Sequence, residues 1–394
     1  MGAESQLRRL GGRKQSKSPP ILSHEFVIQN HADIMSCFAM LFVVGLMLKA
    51  TNPIASVFVT LQHNISMTTN QEGGEAAAAP VEETGGWRYL AGPLDAATVF
   101  FYSIICVVLH AVVQEYLIDK VKNRMHLSKT KTAKLSESGQ LALFYLLSAA
   151  AGLYLISEER LLSQISGLWL GYPEKHRAMS FLHKLYFLVQ LAYWLHQFPE
   201  FYFQKVRREE ARQRALYSAL YLLFIAAAYA LNFSRVCLCL LVLQYLSELL
   251  YHLARLAHFT ERAMLARPLW RVWNAAFAAA RLASVVLAVL TFWYGLRLAE
   301  TPRIDPAKGN YNTAFVRLNC LLAVCGVQIW LGWNFIFAWL RRARERAPVP
   351  KKRHHEIRAA HKKQKQQRQE TDDFNALPEA DQQIRQRRST NTAQ

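Results

Sequence analysis

Hydrophobic residues in this chain come in long blocks separated by short polar runs. Apolar stretches of about 17–25 residues recur, the length a helix needs to cross a bilayer core. Eight such spans are predicted, at 34–59, 96–116, 139–157, 182–201, 215–232, 235–253, 274–296 and 316–340. The predicted fold is therefore an all-α, polytopic membrane bundle of about eight transmembrane helices. Only "NFSR" at 232–235 divides the fifth span from the sixth, as in a tight helical hairpin. Lys49 and "TNP" at 51–53 interrupt the first span, because a proline disfavours helix in the residue before it. Residues 1–31 are polar and lack an apolar core, so span one is expected to serve as its own insertion signal.

Of the 394 residues, 52% are hydrophobic, and the formal net charge is +19. The mean hydropathy is only +0.03, because polar tails and basic loops dilute the apolar blocks. The charge is segregated. Of 47 Lys and Arg, 35 fall in residues 1–33, in the connections 117–138, 202–214 and 254–273, and after residue 340. Basic connections stay in the cytosol, and an even number of spans then places both termini there. The 60–95 connection faces the lumen. It is acidic through Glu72, Glu75, Glu82, Glu83 and Asp95, and its Asn64-Ile65-Ser66 triplet makes Asn64 the expected glycosylation site. A second triplet, Asn232-Phe233-Ser234, sits too close to the membrane to be used. All six cysteines (Cys37, Cys106, Cys237, Cys239, Cys320 and Cys325) lie in predicted spans. Cys237 and Cys239 point to nearly opposite helix faces and read as small apolar side chains rather than a metal pair. No metal or other cofactor is expected.

Four regions follow: a cytosolic basic tail at 1–31, two spans with a lumenal glycosylated loop at 32–116, six further spans at 117–340, and a disordered basic cytosolic tail at 341–394. The last has too few apolar residues to fold alone. Its "RRARERAPVPKKRHHEIRAAHKKQKQQR" directly follows the final span. Such a stretch suits anionic lipid headgroups, the RNA phosphates of a ribosome, or the simpler role of fixing topology. "GGEAAAAPVEETGG" (73–86) is a low-complexity spacer.

Polar residues inside spans carry the candidate chemistry, since hydrocarbon penalises them unless something receives them. On span four, Tyr186, Gln190, Tyr193, Gln197 and Glu200 share one face, while Leu185, Leu188, Leu191, Leu195 and Phe198 take the other. Pro199 allows a kink near the cytosolic interface. On span six, Gln244, Glu248, Tyr251 and Arg255 cluster, with His252 slightly off the face and within reach of Glu248. Span seven adds Arg281 beside Ala275, Ala276, Ala279, Ala280 and Ala283, small residues that allow close helix approach. Two readings stand together: contacts that hold helices to one another, and a partly hydrated groove open toward the cytosolic leaflet.

Several stretches are more specific. "SPPILSHEFVIQNHADIMSCFAM" (18–40), "HAVVQEYLIDKVKNRMHLSKTK" (110–131), "LSESGQL" (135–141), "QLAYWLHQFPEFYFQKVRREE" (190–210), "AAYALNFSRV" (227–236) and "KGNYNTAFVRL" (308–318) resemble the translocating chain-associating membrane protein family. The resemblance runs nearly continuously from Ser18 to about Arg342. It implies a multi-span protein of the endoplasmic reticulum beside the Sec61 channel, touching signal sequences and nascent transmembrane segments. It also implies the TLC helical fold shared with ceramide synthases, and with it an alternative: an acyltransferase, or a protein that binds lipid or modulates the bilayer. In ceramide synthases adjacent intramembrane histidines with a nearby aspartate serve acyl transfer. Here His110, His196 and His252 stand apart along the chain, the pair His354-His355 lies in the tail, and spans four to seven hold no aspartate. The chain is therefore expected not to be an enzyme.

Overall fold

A computed structural model describes residues 23–65, 87–125, 128–204, 206–346 and 362–369. The chain opens with α1 (His24–Gln29), whose N-cap Ser23 accepts from the Phe26 N–H at 3.1 Å. Then come α2 (His31–Met47) and α3 (Asn52–Val59). A straight helix would separate residues 42 and 58 by roughly 24 Å, yet the Phe42 and Phe58 rings lie 4.9 Å apart. The expected first span is thus corrected: it ends near Met47, and α3 folds back on α2. Sequence causes this locally. Pro53 sits in the first turn of α3, and Thr51 Oγ1 and Asn52 Nδ2 donate to the Gly45 and Leu46 carbonyls, at 2.8 and 2.6 Å, closing the turn.

The remaining helices are α4 (Asp95–Val113), α5 (Asp119–Arg124), α6 (Lys129–Glu158), the single turn α7 (Glu174–Arg177), α8 (Phe181–Phe203), α9 (Arg208–Ala230), α10 (Ser234–Phe259), α11 (Ala263–Ala288) and α12 (Ala314–Arg346). A π-turn, Gln114–Ile118, joins α4 to α5, and a second, Val289–Gly295, extends α11. Five of these segments are long and apolar enough to cross a membrane: Asp95–Arg124, Thr130–Glu158, Ser234–Phe259, Ala263–Ala299 and Ala314–Glu345. α2 is a shorter apolar helix. At 23 residues each, α8 and α9 span about 35 Å; their polar side chains, rather than their length, set them apart from the other five. Among the described residues, strands are confined to two two-residue segments, β1 (Asn64–Ile65) and β2 (Arg88–Tyr89), paired antiparallel.

The chain forms two compact units, residues 1–329 and 330–394. In the first, α10 packs against α6 and α11, while α8 packs against α4 and α9, and α2 and α3 cover α4. The main core joins Tyr145 and Ala149 of α6 with Phe187, Leu188 and Trp194 of α8, Ile225 of α9, and Leu238, Val242 and Tyr245 of α10. Gly152 permits the close approach of α6 to α10, since a Cβ there would lie 2.4 Å from Val242 Cγ2. The second unit contains the end of α12, where Trp333 packs on Phe337 at 4.7 Å, and a short helix at 362–369. The spacer at 73–86, His354-His355 and most of both tails lie outside the described residues.

Candidate functional site

The helix order places the ends of α5, α8 and α10 and the starts of α6, α9 and α11 at one end of the bundle, here the basic end, and residues 60–65, 87–95, 159–180, 231–233 and 300–313 at the other, the loop end. The polar residues expected to line one groove fall into separate groups between them. Gln190 is locked in the core. Its Nε2 donates to Ser148 Oγ at 3.1 Å, and its Oε1 accepts from Tyr245 O–H at 2.9 Å; Tyr245 in turn accepts from Trp194 Nε1 at 3.0 Å. Tyr186 is buried and Tyr193 stacks on Phe144. The opposite, leucine-bearing face is largely buried as well: Leu188 is 0% exposed and Leu191 is buried, while Leu195 is exposed. α8 is enclosed on both sides because α6, α9 and α10 all contribute to the core around it.

Gln244 sits one residue before Tyr245, about 100° round the helix, and so turns from α8 toward α11. It accepts from Arg281 Nη2 and donates to Glu248 Oε1 at 2.8 Å. The Arg281 guanidinium rests 5.0 Å over the Phe277 ring, and its buried Nε and Nη1 have no hydrogen-bond partner. His252 stacks on Tyr145 with ring centroids 5.6 Å apart instead of serving Glu248. Arg255 belongs to a third group at the basic end, 3.6 Å from Glu137, which also holds Arg214 at 3.0 Å. These three residues tie α10, α6 and α9 together.

The fourth group corrects an expectation. His110 and His196, apart in sequence, are brought together by the packing of α4 on α8, with ring centroids 5.9 Å apart. Glu200 Oε1 lies 3.5 Å from His110 Nε2 and accepts from Gln204 Nε2 at 2.9 Å, leaving the buried Oε2 without a hydrogen-bond partner. His196 Nδ1 bonds the Tyr193 carbonyl, so its Nε2 is the ring's lone-pair atom, 3.4 Å from Gln197 Nε2. The two imidazoles and the carboxylate form one cluster in which Gln204 Nε2 bridges Glu200 and His110, 3.0 Å from His110 Nε2, while Glu200 and His110 themselves lie just outside hydrogen-bond reach of each other. Spacing along one helix shows which residues share its face but not which faces meet across helices.

Sequence reasoning also missed the loop end. Asp95, expected as part of an acidic loop, is buried and pairs with Lys184 at 2.7 Å. Lys184 Nζ donates further to the Gln62 and Leu90 carbonyls, both at 2.7 Å, and Asp95 Oδ2 accepts from Tyr229 O–H at 2.8 Å. Beside them Glu159 takes His183 Nδ1 and, at 3.0 Å, Arg235 Nε. Although burial alone would raise the Glu159 carboxyl, the His183 hydrogen bond and neighbouring cations hold it below the usual range. His176 is pushed down to about 3 by burial and by Arg235. A lone Lys near a span's start was the available signal. Asn64 is exposed on β1. Asn232 is buried with Nδ2 donating to the Gly309 carbonyl at 2.8 Å, a stronger reason than membrane proximity for it to carry no glycan.

The TLC domain profile matches residues 134–336. Translocating chain-associated membrane protein 2 of Mus musculus is 46% identical over 333 residues, covering 84% of this chain and 86% of its own. The chain belongs to the translocating chain-associated membrane protein family. The Homo sapiens protein of the same name is 45% identical over the same length. A sphingosine N-acyltransferase-like protein of Alternaria alternata is more distant, 27% identical over 46% of this chain and 41% of its own. Within this TLC-domain family, then, the present chain is an all-α membrane protein whose relatives carry both translocation-associated and acyltransferase names.

Proposed function

We propose that this chain is an accessory component of the protein translocation machinery of the endoplasmic reticulum membrane, acting beside the Sec61 channel on signal sequences and nascent transmembrane segments. The observation that carries the reading is the 46% identity, across most of both chains, to a protein named for association with translocating chains. Both termini face the cytosol, Asn64 carries a lumenal glycan, and the basic tail meets lipid headgroups or the ribosome. The Gln244–Glu248–Arg281 seam supplies the contact. An apolar wall with unsatisfied donors holds a mostly apolar segment with polar flanks more loosely than a dedicated pocket would, and loose holding permits release. Photo-crosslinkers at Gln244 should capture signal segments in stalled intermediates, whereas probes at the exposed Leu282 of α11 should capture lipid. Equal capture from both positions would overturn the seam.

One observation favours a second reading, that of a lipid-acting protein: the His110–Glu200–His196 group, in a chain with sphingosine N-acyltransferase-named relatives. The expected outcome is that the purified chain given a sphingoid base and acyl-CoA forms no ceramide. Turnover lost in Glu200→Gln would replace the accessory reading with an enzymatic one.

A further inference from the structure

We propose that a cleft at the basic end, between the first turns of α6 and the α10–α11 turn, binds the phosphorylated headgroup of an anionic membrane lipid. This site is separate from the seam and does not depend on the translocation reading. The cleft has a volume of about 370 Å³, within the range of small-molecule sites. Its α6 wall presents Thr130, Lys131 and Lys134; the opposite wall presents His258 and Phe259 at the end of α10, Glu261 in the turn, and Ala266 of α11. Glu261 is the acidic residue of the lining, and Lys131 engages it at 2.8 Å. That ion pair fixes Lys131 across the cleft mouth and uses one of its three N–H donors. The remaining Lys131 donors, the Lys134 ammonium, the His258 ring and the Thr130 hydroxyl are all able to serve phosphate oxygens.

The rest of the lining matches a lipid rather than a free anion. Phe259 and Ala266 give the cleft an apolar side, and Met264 and Leu265, just before Ala266 in the first turn of α11, are exposed at 90% and 52%. On a bundle that crosses the membrane, these exposed apolar side chains beside the cleft, at the basic end of α11, offer a surface at the membrane interface against which acyl chains would lie. Basic pockets between transmembrane helices select phosphorylated headgroups in this way.

The test is native mass spectrometry of the purified full chain with three probes: dioctanoyl phosphatidylinositol 4-phosphate, the same headgroup without chains (glycerophosphoinositol 4-phosphate), and dioctanoyl phosphatidylcholine. The anionic lipid should bind, and Lys131→Ala/Lys134→Ala should weaken it about tenfold or more, as expected for two cations near a phosphate. A control, Lys120→Ala/Lys122→Ala, removes two cations elsewhere at the same end and should leave binding unchanged. Binding of the chainless headgroup as tight as that of the lipid would overturn the lipid assignment in favour of a soluble phosphoester. Equal losses in both double variants, or phosphatidylcholine binding as well as the anionic lipid, would overturn the site itself. Lys134→Arg, which keeps the charge, should retain most binding; if it loses as much as the double alanine variant, the charge argument fails.

Discussion

Two buried cations, Lys184 near the loop end of α8 and Arg281 within α11, have opposite surroundings. Lys184 Nζ donates to the Gln62 and Leu90 carbonyls and is ion-paired with Asp95 Oδ1 at 2.7 Å. Asp95 in turn receives Tyr229 O–H and the Gly92 N–H. This network ties the start of α8 to both flanks of the 60–95 connection and to α9. Arg281 has five N–H donors, yet Nε and Nη1 are without hydrogen-bond partners. A satisfied polar network rigidifies one arrangement, whereas an unsatisfied one carries a free-energy cost that another acceptor relieves. The contrast makes Lys184 a structural cation and, on the function proposed above, leaves Arg281 with donors for a passing segment.

The largest effect should come from Lys184→Met. Removing one partner of a buried ion pair leaves an uncompensated charge, at a cost of about 3–5 kcal/mol. Thermal unfolding in detergent should show it, and Lys184→Met/Asp95→Asn should recover part of the loss. A double variant as unstable as the sum of the single ones would mean the pair is not the source of stability.

Next comes Gln190→Leu. It breaks the Ser148–Gln190–Tyr245 chain in the core and strands a buried hydroxyl, for about 1–3 kcal/mol. Because Gln190 faces helices on both sides, signal-segment crosslinking from Gln244 should persist in the folded variant. Loss of that crosslinking at unchanged stability would return Gln190 to the seam.

A smaller effect tests the loop end by pH. His176 titrates at about 3 when folded against an ordinary 6.5, so the folded state resists its protonation. The contribution is complete above pH 6.5 and is lost progressively as pH falls toward 3. Between pH 7 and pH 5.5 it removes about 1 kcal/mol. Glu159, held low, stays ionised across that window. Stability measured at the two pH values should differ less in His176→Gln; an unchanged slope would place the dependence on another group.

Hydropathy made most helices legible: the predicted 96–116 and 235–253 match α4 with its π-turn and α10. It did not reveal the fold-back at Thr51, because a proline announces a break but not the direction the chain takes afterward. Nor did it separate Leu188, in the core, from the exposed Leu195. In a bilayer, lipid tails and protein interiors are equally apolar, so no hydrophobic contrast marks which leucine faces which. Polarity did single out Gln244, Glu248 and Arg281, since any such group in a span needs a receiver. It missed His110 with Glu200 because that meeting depends on α4 packing against α8, which neither helix encodes alone.

The smallest stability effect is the sharpest test of the comparison. Arg281→Met/Glu248→Gln removes both charges of the seam, and replacing mutually attracting buried charges with neutral groups of similar size is often near-neutral, within about 1 kcal/mol. Gln244 Nε2 keeps an acceptor in the amide that takes the place of the Glu248 carboxylate, while the half-buried Gln244 Oε1 gives up its Arg281 donor. If Arg281 is there to receive a passing segment, crosslinking from a probe at Gln244 should fall several-fold in this variant while the unfolding temperature barely moves. Clients with weakly apolar signals should suffer most, because strongly apolar ones gain about 0.8 kcal/mol per buried CH₂ from lipid without help. A large drop in stability would make Arg281 a second Lys184, a structural cation whose unfilled donors have no part in binding.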